Sequence, residues 1–250
     1  MAEFRCEPEF VDIWLLNQDS VTDPQQLERY LRLLTEEERA QHGRFLFDHI
    51  KRQYLLTRTL CRATLSRYTG VALEAWRFVL NRYGKPRIFS PDPGVPIKFN
   101  LSNTHGLIAC AVAYDAPVGV DAEYVLRRSD TVGIADRYFS QTEVAALRAT
   151  PESRQRWRFF EYWTLKESYI KARGMGLAIP LDQFSFLLDP PKPVGISFDP
   201  RLRDDPAAWQ FGLFRPRPSH CLAVGVQRGC GPDRQIRLFE TSARTMAPEL

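Results

Sequence analysis

The sequence lacks any paired spacing of cysteine. Its five cysteines, Cys6, Cys61, Cys110, Cys221 and Cys230, are odd in number and form no CxxC or related motif, so neither a thiolate zinc site nor a disulfide framework is suggested. They are expected to be reduced and mostly buried. Long apolar runs are missing as well: no stretch approaches the ~20 apolar residues of a membrane span. The opening MAEFRCEPEF mixes charges with single aromatics, unlike the charged-then-apolar order of a secretory signal. A soluble, cytoplasmic protein without a membrane partner is therefore expected. Blocks of like charge are absent too. The 34 Lys and Arg are scattered among 30 Asp and Glu for a formal net charge of +4, which suits a small anionic ligand or an acidic protein partner better than a nucleic-acid lattice.

What is present is enough apolar material for a core: 44% hydrophobic and 12% aromatic residues in 250, one large domain or two small ones. Alternation over Val11 to Leu16 predicts a strand. DPQQLERYLRLL and TEEERAQHGRFLF predict two short helices, the second opened by Thr35 with Glu38 as its capping-box partner. From Lys51 to about Tyr68, Leu55, Leu56, Leu60 and Leu65 recur at helical spacing, and Thr69-Gly70 ends that helix. The stretch 76–96 is rich in turn residues and reads as loop and short strand. Three β-rich runs at 99–101, 107–114 and 118–123 look like a meander, followed by helices at 130–138, 141–149 and about 152–173, the last closing at Gly174 and Gly176. Strands return at 184–188, 210–214 and 221–227, and the Gly-rich 228–232 is expected to lead into a flexible, dispensable tail at 233–250.

The fold class expected is therefore α+β. Residues 1–116 and 117–232 each run helices first and a small sheet afterwards, although the first half also opens with a strand and there is no residue-level repeat, and they meet near Ala116-Pro117. Two such halves would leave a cleft between them, a common place for a ligand.

Within Val118-Gly119-Val120-Asp121-Ala122-Glu123, strand alternation puts Asp121 and Glu123 on one face and Val120 and Ala122 on the other. Two carboxylates on one face repel unless solvated or bridged by a cation, and hard oxygen ligands suit Mg²⁺; a solvated acidic turn is the alternative. Trp163, Glu167 and Lys171 lie four residues apart on one helical stripe, either as a functional acid and base or as an ordinary i,i+4 ion pair. Lys85 in Gly84-Lys85-Pro86 and Arg58 on its helix could meet phosphate or simply be solvated. The segment Phe99 to Gly106 offers Ser102, Asn103 and His105 at a strand end, where hydroxyl, amide and imidazole could hold a pyrophosphate or merely form a hairpin turn.

In this order, GKP, FNLSNT, VGVDAE and WTLKESYIKARGMGL resemble the signature segments of the 4′-phosphopantetheinyl transferases of the surfactin-synthetase-activating type, a likeness running from about Phe45 to Phe186. The resemblance implies a pseudodimer of two similar α+β halves, each a small antiparallel sheet packed on helices, with coenzyme A between them. It implies transfer of the 4′-phosphopantetheine arm of coenzyme A to a serine of an apo acyl or peptidyl carrier protein, with release of 3′,5′-ADP by a monomer. By the same resemblance Asp121, Glu123 and Glu167 are Mg²⁺ ligands, with Asp121 also facing coenzyme A. Glu167 or a metal-held water takes the serine proton, and Lys171 attends the departing pyrophosphate oxygen. Arg58, Lys85, Ser102, Asn103 and His105 fall at or beside positions that meet coenzyme A. Two departures stand out: Asn103 occupies a position usually histidine, and the TEEERAQHGRF helix lacks the usual lysines. Competing expectations are a silent coenzyme A or carrier-binding module, and a nucleic-acid binder using the arginines of 51–67.

Overall fold

The computed structural model describes residues 4–129, 131–189 and 191–246. The chain opens with strand β1 (Phe10–Leu16), then helices α1 (Pro24–Leu33), α2 (Glu36–Arg44) and α3 (Asp48–Thr69). A hairpin of β2 (Arg77–Leu80) and β3 (Pro86–Ser90) precedes β4 (Ile97–Thr104), β5 (Leu107–Tyr114) and β6 (Val118–Tyr124). Helices α4 (Thr131–Tyr138), α5 (Gln141–Ala149) and α6 (Glu152–Arg173) follow, then β7 (Phe184–Leu187), β8 (Gly195–Phe198), β9 (Trp209–Arg217), β10 (His220–Gln227), β11 (Gln235–Thr241) and the single-turn α7 (Ala243–Met246).

Local chemistry explains the boundaries. Thr35 and Glu38 close the expected capping box of α2 by reciprocal bonds of 3.2 and 3.1 Å. Both α3 and α6 are 22 residues long and stop at a left-handed residue, Gly70 at φ 70° and Gly174 at φ 64°, a conformation in which glycine carries no Cβ penalty. The expected start of α4 at residue 130 lies outside the described residues, and the helix runs from Thr131.

Strands β11-β1-β5-β4 form one sheet and β6-β10-β9 a second. Apolar clusters lie in three layers. Trp14, Phe99, Cys110 and Leu60 pack α3 on the first sheet, Phe159, Leu165, Tyr169 and Ala223 pack α6 on the second, and Val11, Ala109, Val120 and Val224 fill the space between the sheets. Each fully buried leucine or phenylalanine contributes ~1.5–3 kcal/mol. The fold is thus mixed α+β, with the sheets inside and the two long helices outside.

Two expectations change. The three central β-rich runs are not one meander: β4 and β5 pair with each other, whereas β6 joins the other sheet by pairing antiparallel with β10 from His220↔Tyr124 to Val226↔Val118. The chain leaves the first sheet at Asp115, at φ 39°, and Pro117, which has no N–H to continue a ladder. The expected tail at 233–250 is also corrected. Gln235–Thr241 forms β11, parallel to β1, with Arg237 held on Asp12 by bonds of 2.6 and 2.8 Å and Phe239 stacked on Trp14 at 4.8 Å. The glycines at 228–232 mark a turn, not an end, and residues 247–250 lie outside the described residues. Because β11 runs parallel to β1, the first sheet is mixed and takes a strand from the far end of the chain.

Candidate active site

Strand β6 lies directly on α6, and Gly119 makes that contact possible. A Cβ at this position would fall 2.1 Å from Ser168 O and 2.3 Å from Ala172 N, so only glycine allows the backbones to approach so closely. Val120 and Ala122 face the layer between the sheets. By alternation Asp121 and Glu123 therefore face α6, as the sequence pattern requires.

Asp121 is buried. Its Oδ1 accepts a bond from Lys171 Nζ at 2.7 Å and one from Ser102 Oγ at 3.1 Å, while Oδ2 is buried and among the described residues has no hydrogen-bond partner. Lys171 thus pairs with a carboxylate on another element, and its ammonium also donates to Ser102 Oγ at 3.1 Å and Val120 O at 3.3 Å. Burial first, and the Asp121 charge second, push the carboxyls of Glu123 and Glu167 up to about 7. Arg127, 3.2 Å from Glu123, pulls the other way on that residue.

Among the described residues no three carboxylates, imidazoles or thiols converge into a finished metal cage. The donor set nevertheless fits a hard dication. An orphaned, buried carboxylate oxygen on Asp121 lies within electrostatic reach of two further carboxyls, all of them oxygen donors.

The remaining candidates are placed unevenly. Asn103 lies exposed near the end of β4, opposite Ile108, and His105 exposed on the turn that follows. Side chains from three elements hold the carbonyls of that turn: Gln53 Nε2 donates to Thr104 O at 2.9 Å, His220 Nε2 to His105 O at 2.7 Å and Arg217 Nη1 to Gly106 O at 2.9 Å. Ser102, by contrast, is buried against β6. Lys85 sits at the C-terminal end of α6, where its ammonium donates to Val118 O at 3.0 Å and Ala172 O at 3.1 Å. Burial lowers its pKa to about 8. Arg58 leans on Glu38 at 3.7 Å and over the Tyr54 ring. A cleft of about 870 Å³ lined by Lys85, Lys98, Phe99, Pro117 and Arg173 opens where β4 and β6 begin, at the opposite end of these strands from Glu123.

Sequence reasoning overlooked Asn100, Thr104 and Gly119. The signal for the first two was present: Asn100, Ser102 and Thr104 are polar at period two in a strand whose other face is Ile97, Phe99 and Leu101.

The sequence profile of the 4′-phosphopantetheinyl transferase superfamily matches residues 117–225, the stretch that holds β6 and α6. The 4′-phosphopantetheinyl transferase HetI of Nostoc sp. is 33% identical over 221 residues, 88% of this chain and 89% of that protein. This chain belongs to the 4′-phosphopantetheinyl transferase family. The Bacillus subtilis transferase Sfp is likewise 33% identical, over 85% of this chain and 90% of its own. Among solved structures, the holo-[acyl-carrier-protein] synthase of Thermotoga maritima aligns with 48% of this chain and 64% of its own at 19% identity and a TM-score of 0.37. As a family member the protein is an enzyme that transfers phosphopantetheine to carrier proteins. None of the described helices is long and apolar enough to cross a membrane.

Proposed function

We propose that the enzyme moves the 4′-phosphopantetheine arm of coenzyme A to a serine of an apo acyl or peptidyl carrier protein in a Mg²⁺-dependent reaction that releases 3′,5′-ADP. The observation that carries this reading is the half-bonded Asp121, with Oδ1 fixed by Lys171 and Ser102 and Oδ2 buried without a partner beside two carboxyls that burial has pushed up. Such a cluster is electrostatically costly unless a cation is shared among its members.

Asp121, Glu123 and Glu167 would hold the ion, drawn from a strand and the helix packed on it. The ion's chemistry is to neutralise the coenzyme A pyrophosphate and the charge that builds on its leaving oxygen. The carrier serine oxygen attacks the pantetheine-bearing phosphorus, and the bond from that phosphorus to the bridging oxygen breaks. Glu167 accepts the serine proton. Lys171, fixed on Asp121 and Val120 O, presents positive charge to the bridging oxygen as it departs with 3′,5′-ADP. Asn103 near the end of β4 and His105 on the turn held from three sides, together with Arg58 and Lys85, complete the contacts proposed for the coenzyme A phosphates.

We read the two long helices, equal in length and alike in their glycine caps, as signs of a pseudodimer of related halves, divided near residue 116 but with β11 crossing back into the first sheet. Because one chain supplies both halves, a cytoplasmic monomer suffices. The nucleic-acid reading is disfavoured because the arginines of α3 have protein partners: Arg62 is fully buried on Glu38, Arg67 lies over the Trp14 ring at 4.1 Å, and Arg52 meets Asp19 at 3.4 Å.

Intact mass spectrometry of apo carrier protein incubated with the enzyme and coenzyme A tests this function. One phosphopantetheine adduct with Mg²⁺ and none with EDTA is expected. An adduct that forms equally well in EDTA contradicts the metal role. Binding of coenzyme A without transfer to any of several carriers favours the silent binding module.

A further inference from the structure

Strands β4 and β6 stand at the edges of their sheets and run side by side, yet no main-chain ladder joins them among the described residues. The outward N–H groups of β6 are taken instead by side chains of β4. Asn100 Oδ1 accepts from Val120 N at 2.9 Å, Ser102 Oγ from Ala122 N at 3.1 Å and Thr104 Oγ1 from Tyr124 N at 3.1 Å, each pair separated by the same 20 residues. Carbonyls on the same side of β6 are met by lysines, Val118 O by Lys85 and Val120 O by Lys171. The four signature segments of the sequence therefore meet along one strand edge.

The central member of the column has a further consequence. A serine hydroxyl has one proton and two acceptor lone pairs. Ser102 Oγ accepts from Ala122 N–H and from the Lys171 ammonium, so its proton has Asp121 Oδ1 as its remaining partner, at 3.1 Å. That bond and the one from Lys171 both fall on Oδ1, which leaves Oδ2 as the open oxygen. A main-chain ladder, with strands ~4.8 Å apart, has no hydroxyl to insert between the strands.

We propose that Asn100, Ser102 and Thr104 are positioning residues for the transfer: a column of side chains acts in place of a strand, holds β6 in register and turns Asp121 so that Oδ2 stays free. The inference rests on the reading of Asp121 as a reaction-site carboxylate.

Amide hydrogen exchange, resolved residue by residue by NMR, tests it together with kinetics. In Ser102→Ala the Ala122 N–H should exchange at least about tenfold faster while Val120 and Tyr124 stay within about twofold; kcat should fall about tenfold or more with KM for coenzyme A little changed. Thr104→Val, nearly isosteric and at the edge of the column, should release the Tyr124 N–H and lower kcat, and Thr104→Ser should restore both. Unchanged exchange at Ala122 and Tyr124, or faster exchange with full kcat in both variants, overturns the proposal. Asp121→Asn separates the two levels: if it is inactive while Ser102→Ala and Thr104→Val are fully active, the column fails alone. If Asp121→Asn is itself fully active, the underlying site reading fails with it.

Discussion

Two lysines on α6, Lys166 and Lys171, each sit 2.7 Å from a carboxylate of another element, and the two pairs are completed in opposite ways. Lys166 and Glu143 are both fully buried. The Lys166 ammonium donates to Glu143, Leu181 O and Phe184 O, while Glu143 accepts on both oxygens, from Phe186 N on one and from Ser140 on the other. Every strong hydrogen-bonding position is filled, so the pair locks α5, α6 and β7 together. Asp121, the partner of Lys171, keeps one oxygen empty and lies beside two more acids. A closed pair holds structure, whereas the open one leaves a buried carboxylate oxygen for the proposed cation.

The largest expected effect is on the closed pair. Lys166→Met strands a buried carboxylate and should lower unfolding free energy by ~3–5 kcal/mol in urea denaturation; a loss below ~1 kcal/mol would remove the distinction between the two pairs. Next comes the open pair. Asp121→Asn should cut the transfer rate at least about a hundredfold, ~2.7 kcal/mol of barrier, with stability changed by under ~1 kcal/mol. A variant that unfolds instead would make Asp121 a structural residue like Glu143. Gly119→Ala should cost ~2 kcal/mol of stability, because its Cβ cannot enter the contact with Ser168 and Ala172 without moving β6 off α6. Slower transfer by the folded fraction is expected as well, since Asp121 moves with the strand.

The smallest effect concerns Lys85. Burial sets its folded pKa at about 8, against an ordinary 10.5. Between these values the folded chain has released a proton that the unfolded chain keeps, so this residue's contribution to stability rises with pH through the window and is lost as pH falls toward 8. Its two carbonyl acceptors favour the charged form and reduce the effect, leaving at most ~1 kcal/mol. Wild type should gain that much relative to Lys85→Met between pH 8 and 10; a constant difference would contradict a depressed lysine.

Much of this was legible in the sequence where one residue determines its local geometry. Thr35 with Glu38, and Gly70 and Gly174, fix helix ends by capping, a short-range matter. The alternation of Asp121 and Glu123 against Val120 and Ala122 likewise survived folding. What was not legible depends on partners distant in sequence. Glu38 both caps α2 and neutralises the buried Arg62, which no local pattern reveals. Lys171 pairs with Asp121, 50 residues away, in preference to the i,i+4 partnership with Glu167 that spacing allowed. The strand at 235–241 reads as tail by composition because its pairing with β1 spans almost the whole chain.

In the proposed site Asp121, Glu123 and Glu167 share a magnesium ion that the closed pair cannot take. Calorimetric titration of Mg²⁺ into the enzyme saturated with coenzyme A tests it directly, beside Asp121→Asn, Glu167→Gln and, as a control acid elsewhere on α6, Glu161→Gln. One Mg²⁺ site is expected in wild type and Glu161→Gln, and its loss in the other two. Equal binding in all four proteins would contradict it.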